Sequence, residues 1–283
     1  MTTAWVWELG DGPPHRRSDR LAVEEALVIR LRAGDDTRTL AVTLRTPGAD
    51  AELAAGFLFA EGVVRERHLV AAQRAERTVT PDGSVEDVLE VTLAGRRLPD
   101  VSRLDRHVFT SSACGACGRT ALAARLFDGA SPLPPTAPLD PGILATMLAG
   151  LSAAQASFAA TGGLHAAARF TRDGELVALY EDVGRHNALD KLLGRAFLDG
   201  ELEPGSPGWA DAVVVVTSRA SFELVHKCVM ARVPVLAAMS AASSAAVEMA
   251  TAWGLTLVGF LRPGRAVVYA GGERLGLAAQ EET

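Results

Sequence analysis

The sequence predicts an α/β protein in which helices cover both faces of a mixed sheet, preceded by a smaller N-terminal α+β region. The β-branched run 212–217 is typical of a strand that is buried on both faces. From residue 164 onwards predicted strands and helices alternate, which indicates a partly parallel sheet covered on both sides. Residues 171–174 read Thr-Arg-Asp-Gly between two strand-like runs, the pattern of a β-hairpin.

The N-terminal part mixes strands with one helix. Strand-like alternation ends the run 22–32, and a Gly-Asp-Asp turn leads to a second strand at 39–44. Residues 49–61 have the apolar spacing of a helix, with Asp50 as the candidate N-cap. Apolar residues around a Pro-Asp-Gly turn predict another hairpin at 79–93.

Five prolines between residues 129 and 142 predict a stiff linker, because proline is excluded from helix interiors and favours extended backbone. We place a domain boundary there. Residues 1–128 then form the N-terminal region, 129–142 the linker and 143–283 the second domain. A chain of 283 residues is long enough for one large domain or for two moderate ones, each with its own core.

The second domain is predicted to alternate helices and strands. A first helix follows the Pro-Gly at 141–142 and runs to about Ala153. The predicted strands are 164–170, 175–180, 212–217, 233–237 and 256–261. The predicted helices that follow the hairpin are 187–197, 222–232 and 244–253. Ligands of such sheets lie beyond the carboxyl ends of the strands, so polar segments at those ends are candidate site residues.

Two thiols lie three residues apart in Cys114-Gly115-Ala116-Cys117-Gly118, and Cys228 is the only other cysteine of the chain. A thiolate is both a nucleophile and a sulfur carrier. A second thiol nearby lowers its pKa, resolves an intermediate or shares the sulfur. The flanking glycines favour a hinge, because glycine accepts positive φ angles. Cys114 and Cys117 are therefore the candidate catalytic residues.

Other interpretations of the thiol pair have weaker support. A structural zinc site needs four ligands, and only Cys228 and six scattered histidines remain, so no metal is expected. A redox dithiol usually opens a helix directly after a strand, whereas the loop-like segment 109–113, with three hydroxyl residues, precedes this pair. Dithiol redox chemistry stays open. A structural disulfide is not expected, because nothing indicates an oxidising compartment.

Charge and hydropathy narrow the class of protein. The net charge of −6 argues against general nucleic-acid binding. The N-terminus lacks a basic-then-apolar leader pattern, and the long apolar stretch 233–261 is interrupted by a proline, serines and a glutamate. We therefore expect a cytoplasmic protein that binds neither nucleic acid nor membrane.

Two polar segments flank the predicted hairpin. Two glycines precede His165, which allows close backbone approach to a ligand or simply a tight turn. Residues 181–191 are dense in ionisable side chains and lie between a strand and a helix. Arg185 and His186 at the helix start suit an anion, and Asn187 or Asp182 is a candidate cap.

Two further polar segments follow later strands. Ser218 and Arg219 lie in a hydroxyl-rich turn between a strand and a helix, the geometry of a phosphate cradle. This turn lacks the Gly-Lys-Ser/Thr ending of a P-loop. The segment Gly259-Phe260-Leu261-Arg262-Pro263-Gly264-Arg265 leaves a buried strand with two arginines around a Pro-Gly turn, which suits a diphosphate or a guanine edge.

Together these segments resemble the FdhD family of formate dehydrogenase accessory sulfurtransferases. The resemblance runs from about residue 20 to residue 275. The matching motifs are Cys114-Gly115-Ala116-Cys117-Gly118, Thr161-Gly162-Gly163-x-His165-x-Ala167, Glu181-Asp182-Val183-Gly184-Arg185-His186-Asn187-Ala188-x-Asp190-Lys191, Ser218-Arg219-x-Ser221-Phe222-Glu223 and Gly259-Phe260-x-Arg262.

The resemblance implies a reaction and a fold. Such proteins take sulfane sulfur from a cysteine desulfurase as a persulfide and pass it to the molybdenum or tungsten bis(molybdopterin guanine dinucleotide) cofactor, which is then inserted into formate dehydrogenase. Their main domain is similar to the cytidine deaminase fold, a three-layer αβα domain, usually in a homodimer. This chain lacks the His-x-Glu and Pro-Cys-x-x-Cys motifs of zinc deaminases, which fits such a scaffold without its zinc.

The resemblance also implies residue roles. Cys114 carries the persulfide, although spacing alone does not separate it from Cys117, which shares the sulfur or releases the product. The cofactor is cargo, and a guanine nucleotide is its partial mimic. The residues expected to bind it are His165, Arg185, His186, Asn187, Ser218, Arg219, Phe260, Leu261, Arg262, Pro263, Gly264 and Arg265. Two other functions stay open: a cofactor-binding chaperone without sulfur transfer, and a thiol-disulfide oxidoreductase.

Overall fold

The computed structural model of the protein describes residues 1–66, 70–79, 85–101, 131–204, 206 and 209–277. Over these ranges the chain forms a two-stranded, a four-stranded and a six-stranded sheet. No helix within these ranges is both long and apolar enough to cross a bilayer. The thiols of Cys114 and Cys117, and the predicted roles that depend on them, lie outside the described residues.

An antiparallel hairpin at the N-terminus was not predicted from the sequence. It pairs β1 (Thr2–Glu8) with β2 (His15–Leu21). The central residues of β1, from Ala4 to Trp7, are all apolar, so the alternation that signals a strand is missing there.

The four-stranded sheet has the order β4-β3-β6-β5. Its strands β3 and β6 are parallel, and both predicted hairpins are confirmed. The elements are β3 (Glu25–Ala33), β4 (Asp36–Arg45), α1 (Asp50–Ala60), β5 (Val70–Val79) and β6 (Val85–Leu93). The prediction of Asp50 as N-cap was wrong: Ala49 is the N-cap, with a φ of 55°, and Asp50 binds Arg45 through Oδ1 at 3.0 Å and Oδ2 at 2.9 Å.

The six-stranded sheet has the order β12-β11-β10-β9-β7-β8, with β9, β10 and β11 parallel and the remaining pairs antiparallel. Its elements are α2 (Ile143–Ala154), α3 (Ala156–Thr161), β7 (His165–Phe170), β8 (Leu176–Asp182), α4 (Arg185–Leu198), β9 (Val213–Val216), α5 (Phe222–Met230), β10 (Val235–Ala238), α6 (Ser244–Trp253), β11 (Thr256–Arg262) and β12 (Arg265–Ala270). The predicted elements of this region are confirmed, and α3 and β12 are additions.

Helices cover both faces of this sheet. Alternate residues of β9 belong to two different cores: Val214 and Val216 pack on the side of α4 and α5, and Val213 and Val215 on the side of α2. The predicted mixed sheet, buried on both faces, is therefore confirmed. The finer likeness to cytidine deaminases stays a prediction.

One hydrophobic core is shared by the N-terminal region and the second domain. Helix α1 crosses α4 at two glycines. A Cβ on Gly56 would lie 1.9 Å from the carbonyl oxygen of Asp190, and a Cβ on Gly194 would lie 1.7 Å from that of Glu52. Only glycine permits this approach.

The proline-rich segment is extended and packed against the second domain. Leu133 and Leu139 are buried, and their amides bind the carbonyl oxygens of Trp253 and Arg274. Prolines supply carbonyl acceptors but no N–H, and arginine side chains donate to these acceptors. Arg172, Arg232 and Arg274 donate to the carbonyl oxygens of Ser131, Pro132, Pro134, Ala137 and Pro138.

Candidate functional site

Strand pairing brings the predicted site segments to one edge of the six-stranded sheet, which we call the strand-exit edge. Here β7 begins and β8, β9, β10 and β11 end. His165, the first residue of β7, pairs with Asp182, the last residue of β8. At the next position the amide of Thr217 donates to the carbonyl of Ala166 at 3.1 Å. The segment that contains His165, the segment that begins at Glu181 and the end of β9 therefore lie side by side.

Backbone hydrogen bonds extend this edge to the remaining segments. The amide of Ser240, after β10, donates to the carbonyl of Ser218 at 3.3 Å, and the amide of Phe260 donates to the carbonyl of Ser240 at 3.0 Å. Neighbouring strands lie about 4.8 Å apart, so β7 and β11 are separated by about 14 Å at this edge. All four predicted polar segments thus line one continuous edge, and its length suits an extended ligand.

The segment 181–191 divides between the protein interior and this edge. Its inward part begins at Asp182, whose side chain is fully buried. The Asp182 carboxylate accepts from Lys191 Nζ at 2.7 Å, from the amide of Thr46 at 3.0 Å, from the amide of Gly184 at 2.8 Å and from Asn187 Nδ2 at 3.2 Å. This buried charge is therefore paired and fully hydrogen-bonded, as a stable interior requires.

Asn187 has a structural role in place of the predicted ligand contact. Its Nδ2 also donates to the carbonyl of Leu44 at 2.8 Å, and its Oδ1 accepts from Thr43 Oγ1 at 3.2 Å. Two residues along a helix correspond to a rotation of about 200°, so Asn187 faces inward when Arg185 faces the edge. The amide thereby joins the start of α4 to β4.

A second buried ion pair lies one turn further along α4. Asp190 Oδ1 is 2.7 Å from Lys227 Nζ of α5, and both side chains are buried. Burial raises the pKa of Asp190. Burial lowers the pKa of Lys227, but the attraction of nearby carboxylates, that of Asp190 above all, together outweighs burial and leaves that pKa raised. We call this pair, together with Asp182, Asn187 and Lys191, the junction, because it binds α4 to the N-terminal region and to α5.

The outward part of the segment holds His186, which contacts the start of α5. His186 Nε2 lies 2.7 Å from Glu223 Oε2 and 3.5 Å from Ser221 Oγ. The hydrogen bond from His186 lowers the pKa of Glu223 to about 2. Glu223 is therefore ionised at neutral pH and holds the imidazole in place. The contact of Glu223 with His186 was not predicted from the sequence, although Glu223 lies in the motif Ser218-Arg219-x-Ser221-Phe222-Glu223.

His165 is a half-buried imidazole beside Arg185 and His186. Burial lowers its pKa, and the charges of Arg185 and His186 lower it further. The ring is thus neutral at pH 7 and keeps one nitrogen as a proton acceptor. Arg185 Nε is buried without a hydrogen-bond partner among the described residues. His165, Arg185 and His186, predicted from two separate motifs, therefore form one cluster.

The turn after β9 supplies Ser218 and Arg219. The Ser218 hydroxyl is buried and donates to the carbonyl oxygen of Arg219 at 3.1 Å, so it stabilises the turn itself. Arg219 is exposed. The following helix, α5, has Ser221 as its N-cap without a side-chain cap, which leaves its first amides available to an anion.

The end of β11 presents an aromatic ring and two arginines. Phe260 has a φ of 48°, its side chain is 37% exposed, and the guanidinium of Arg265 lies 5.7 Å from its ring centroid. Arg262 and Arg265 pair across the exposed turn formed by Pro263 and Gly264. This tip offers a stacking surface beside two planar cations.

Two neighbours of this tip contribute to the fold. Leu261 was predicted to contact the cofactor, but it is buried and belongs to the core on the α2 side. Alternate residues of a strand face opposite sides, which explains why Phe260 is exposed and Leu261 is not. Gly259 is required where it stands, because a Cβ there would lie 2.8 Å from the Tyr269 ring and 2.9 Å from the Ser240 carbonyl oxygen.

Four arginines of this edge share one property. Arg185, Arg219, Arg262 and Arg265 form no ion pair with any carboxylate in the part of the chain that the structure describes. The buried Arg45 is the opposite case, with Asp50 and Asp87 each 2.9 Å from its Nη2. Unpaired cations gathered at one edge attract an anionic ligand.

The last cysteine, Cys228, lies in the core and away from the strand-exit edge. Cys228 is fully buried in the core, and burial raises the pKa of its thiol. It is therefore unsuited to sulfur transfer. No three histidine, cysteine, aspartate or glutamate side chains come together as a metal site within the described ranges.

Comparison of the sequence with known proteins shows to which family the chain belongs. The sequence model of the FdhD/NarQ family matches residues 22–276. The chain belongs to the FdhD/NarQ family. The sulfur carrier protein FdhD of Streptomyces coelicolor is 48% identical over 97% of this chain and 95% of its own length. That of Mycobacterium tuberculosis is 45% identical over 92% of each chain.

A solved structure supports the fold of this FdhD/NarQ family member. It is the crystal structure of a protein from Desulfotalea psychrophila that is assigned as a formate dehydrogenase accessory protein. The two folds match with a TM-score of 0.67 over 97% of this chain and 98% of that one, at 23% sequence identity. The shared fold extends over nearly the whole chain, including the sheet that carries the strand-exit edge.

Proposed function

We propose that this protein is a sulfur carrier that accepts sulfur from a cysteine desulfurase and delivers it to the bis(molybdopterin guanine dinucleotide) cofactor destined for formate dehydrogenase. The sulfur-carrying part is supported by the name of relatives that are 45–48% identical over nearly the full chain. The link to formate dehydrogenase is supported by the assignment of the Desulfotalea psychrophila protein. We also propose that the protein acts as a homodimer in the cytoplasm.

The proposed chemistry uses both thiols. The Cys114 thiolate attacks the terminal sulfur of the donor persulfide; the S–S bond of the donor breaks, its cysteine leaves as a thiolate, and Cys114 becomes a persulfide. The Cys117 thiolate then attacks the Cys114 sulfur. This forms a Cys114–Cys117 disulfide and releases the terminal sulfur as hydrosulfide, so the two cysteines supply the two electrons that reduce it. A thiol reductant restores both thiols.

The strand-exit edge is the proposed cradle of the cargo. The observation that carries this part is a set of four arginines that form no ion pair with any described carboxylate: Arg185, Arg219, Arg262 and Arg265. Guanidinium forks bind phosphates in a bidentate way, and an aromatic ring such as that of Phe260 stacks on a purine. The neutral ring of His165 is the proposed acceptor for the proton released when sulfur is delivered.

Mass spectrometry tests the sulfur-carrying step. The intact protein incubated with a cysteine desulfurase and cysteine is expected to gain about one sulfur atom, and a thiol reductant should remove it. Cys114→Ala should abolish this gain and the activation of formate dehydrogenase. Cys228→Ala is the matched control and should load sulfur normally, because its thiol is buried.

The same experiment separates the two competing functions. If the wild-type protein activates formate dehydrogenase without ever gaining sulfur, and Cys114→Ala does so equally well, the protein is a cofactor chaperone. If Cys117→Ala traps mixed disulfides with general protein substrates, it is a thiol-disulfide oxidoreductase. Either result contradicts the sulfur-carrier proposal.

A further inference from the structure

The N-terminal hairpin exposes two tryptophans on one face. Cross-strand pairing places Trp5 opposite Ser18 and Trp7 opposite Arg16, so these four side chains share that face. Trp5 and Trp7 are 68% and 65% exposed. Tryptophan is largely buried in most folded proteins, and a contiguous exposed aromatic patch marks an interaction surface.

This face is also positively charged. The guanidinium of Arg16 lies 5.9 Å from both the Trp5 and the Trp7 ring centroids, and Arg20 pairs with Thr3 further along the same face. Neither arginine has an ion pair with any residue that the structure describes. The face carries no carboxylate of its own.

The acids of the hairpin lie on its other face. Glu8 Oε2 is 2.6 Å from Arg17 Nε, and Asp19 Oδ1 is 2.8 Å from Arg17 Nη1. Strand alternation puts Glu8, Arg17 and Asp19 on the side opposite to the tryptophans. The hairpin thus separates its charges, with the paired ones on one face and the unpaired arginines on the other.

The outer edge of β1 is open as well. Among the described strands β1 pairs only with β2, in a sheet of two strands. Its seven residues, Thr2–Glu8, contain no proline, so its outward backbone groups are free to bind another extended chain. A two-stranded sheet has marginal stability alone, and a third strand would stabilise it.

We propose that this face and edge, which we call the tryptophan hairpin, bind an extended acidic segment of a partner protein. The segment would add to the edge of β1, with its carboxylates at Arg16 and Arg20 and its apolar side chains on the tryptophan rings. Charge complementarity selects this partner. A second copy packed through the same face would bring the arginines of both copies together, and the open backbone edge of β1 can pair with a peptide but not with a nucleic acid.

The tryptophan hairpin lies next to the candidate site. Ala22 directly follows β2, and a Cβ placed on Gly163 would lie 3.6 Å from the Cβ of Ala22. Gly163 is two residues from His165 of the strand-exit edge. A partner docked on the hairpin is therefore held beside the place where cargo would bind.

A pair of labelled peptides tests this proposal by fluorescence anisotropy with the full chain. One peptide alternates glutamate with leucine and valine, and its control has glutamine in place of every glutamate. The acidic peptide should bind, and salt should weaken it. The double variant Arg16→Gln, Arg20→Gln should weaken binding about tenfold or more, whereas Arg17→Gln on the opposite face should change it less than about twofold.

Control measurements separate loss of binding from loss of folding. The arginine variants retain both tryptophans, and circular dichroism checks that they are folded. Lack of binding, equal binding of both peptides, or tighter binding of a single-stranded oligonucleotide overturns the proposal. Sedimentation velocity of the wild type and of Trp7→Ser tests whether a second copy of the chain occupies this face. A dimeric wild type and a monomeric variant would show that it does, and would overturn the proposal.

Discussion

The junction and the strand-exit edge use the same kinds of charged side chain in opposite ways. At the junction, Asp182 with Lys191 and Asp190 with Lys227 form buried pairs at 2.7 Å. At the edge, Arg185, Arg219, Arg262 and Arg265 have no carboxylate within ion-pair distance among the described residues. Charge density therefore does not separate the two regions, but the pairing of the charges does. The paired charges of the junction hold the fold, and the proposed role of the unpaired arginines is to attract an anionic ligand.

The largest expected effect is on the junction. Lys191→Met should lower the free energy of unfolding by about 3–5 kcal/mol, because Asp182 would stay buried with only neutral donors around it. Urea unfolding followed by circular dichroism measures this. The matched variant at the edge, Arg262→Met, should change stability by less than about 0.5 kcal/mol. Equal losses in the two variants would erase the distinction between the regions.

Substitutions of glycine test whether the junction depends on the close approach of the α1 and α4 backbones. Gly194→Ala should cost about 3 kcal/mol, because its Cβ would lie 1.7 Å from the Glu52 carbonyl oxygen. Gly150→Ala in α2 is the control, since its Cβ would meet Phe170 at an ordinary 3.4 Å. That change should stay within about 1 kcal/mol. The expectation fails if both variants unfold at the same urea concentration.

The smallest expected effect is at the His186–Glu223 pair, which lies between the two regions. The folded-state pKa of Glu223 is lowered from 4.5 to about 2, so its contribution to stability is present above pH 4.5 and is lost as pH falls towards 2. Glu223→Gln should therefore be less stable than wild type at pH 7, by less than about 1 kcal/mol because the carboxylate is half exposed.

A pH series of unfolding measurements checks this expectation. The difference between wild type and Glu223→Gln should shrink between pH 7 and pH 3. The exposed Glu175→Gln serves as the control for removing a carboxylate. A difference that stays constant with pH would mean that the His186–Glu223 contact does not stabilise the folded state.

Much of the fold follows from periodicity. The run 212–217 predicted a strand buried on both faces, and β9 places alternate valines in two cores. The hairpin β1–β2 escaped prediction because four consecutive apolar residues hide the strand period. The crossing of Gly56 and Gly194 depends on a contact between helices far apart in the chain, which local patterns do not encode.

The sequence predicted candidate site residues by type but not by orientation. The density of ionisable side chains pointed to residues 181–191, and helix geometry turns Asn187 inward and leaves Arg185 and His186 at the edge. Strand geometry likewise buries Leu261 beside the exposed Phe260. Glu223 was missed because its significance lies in a contact with His186, which is distant in sequence. The assignments of Cys114 and Cys117 stay predictions.

Calorimetric titration with GDP tests most directly the claim that the unpaired arginines bind the cargo. GDP should bind the wild-type protein more tightly than ADP, and Arg262→Ala or Arg265→Ala should weaken it by about 1.5–3 kcal/mol, the range of charged hydrogen bonds. Arg172→Ala, which removes a donor to the linker carbonyls, should leave GDP affinity unchanged. Equal affinity for both nucleotides, or unaltered GDP binding in Arg262→Ala and Arg265→Ala, would contradict the account.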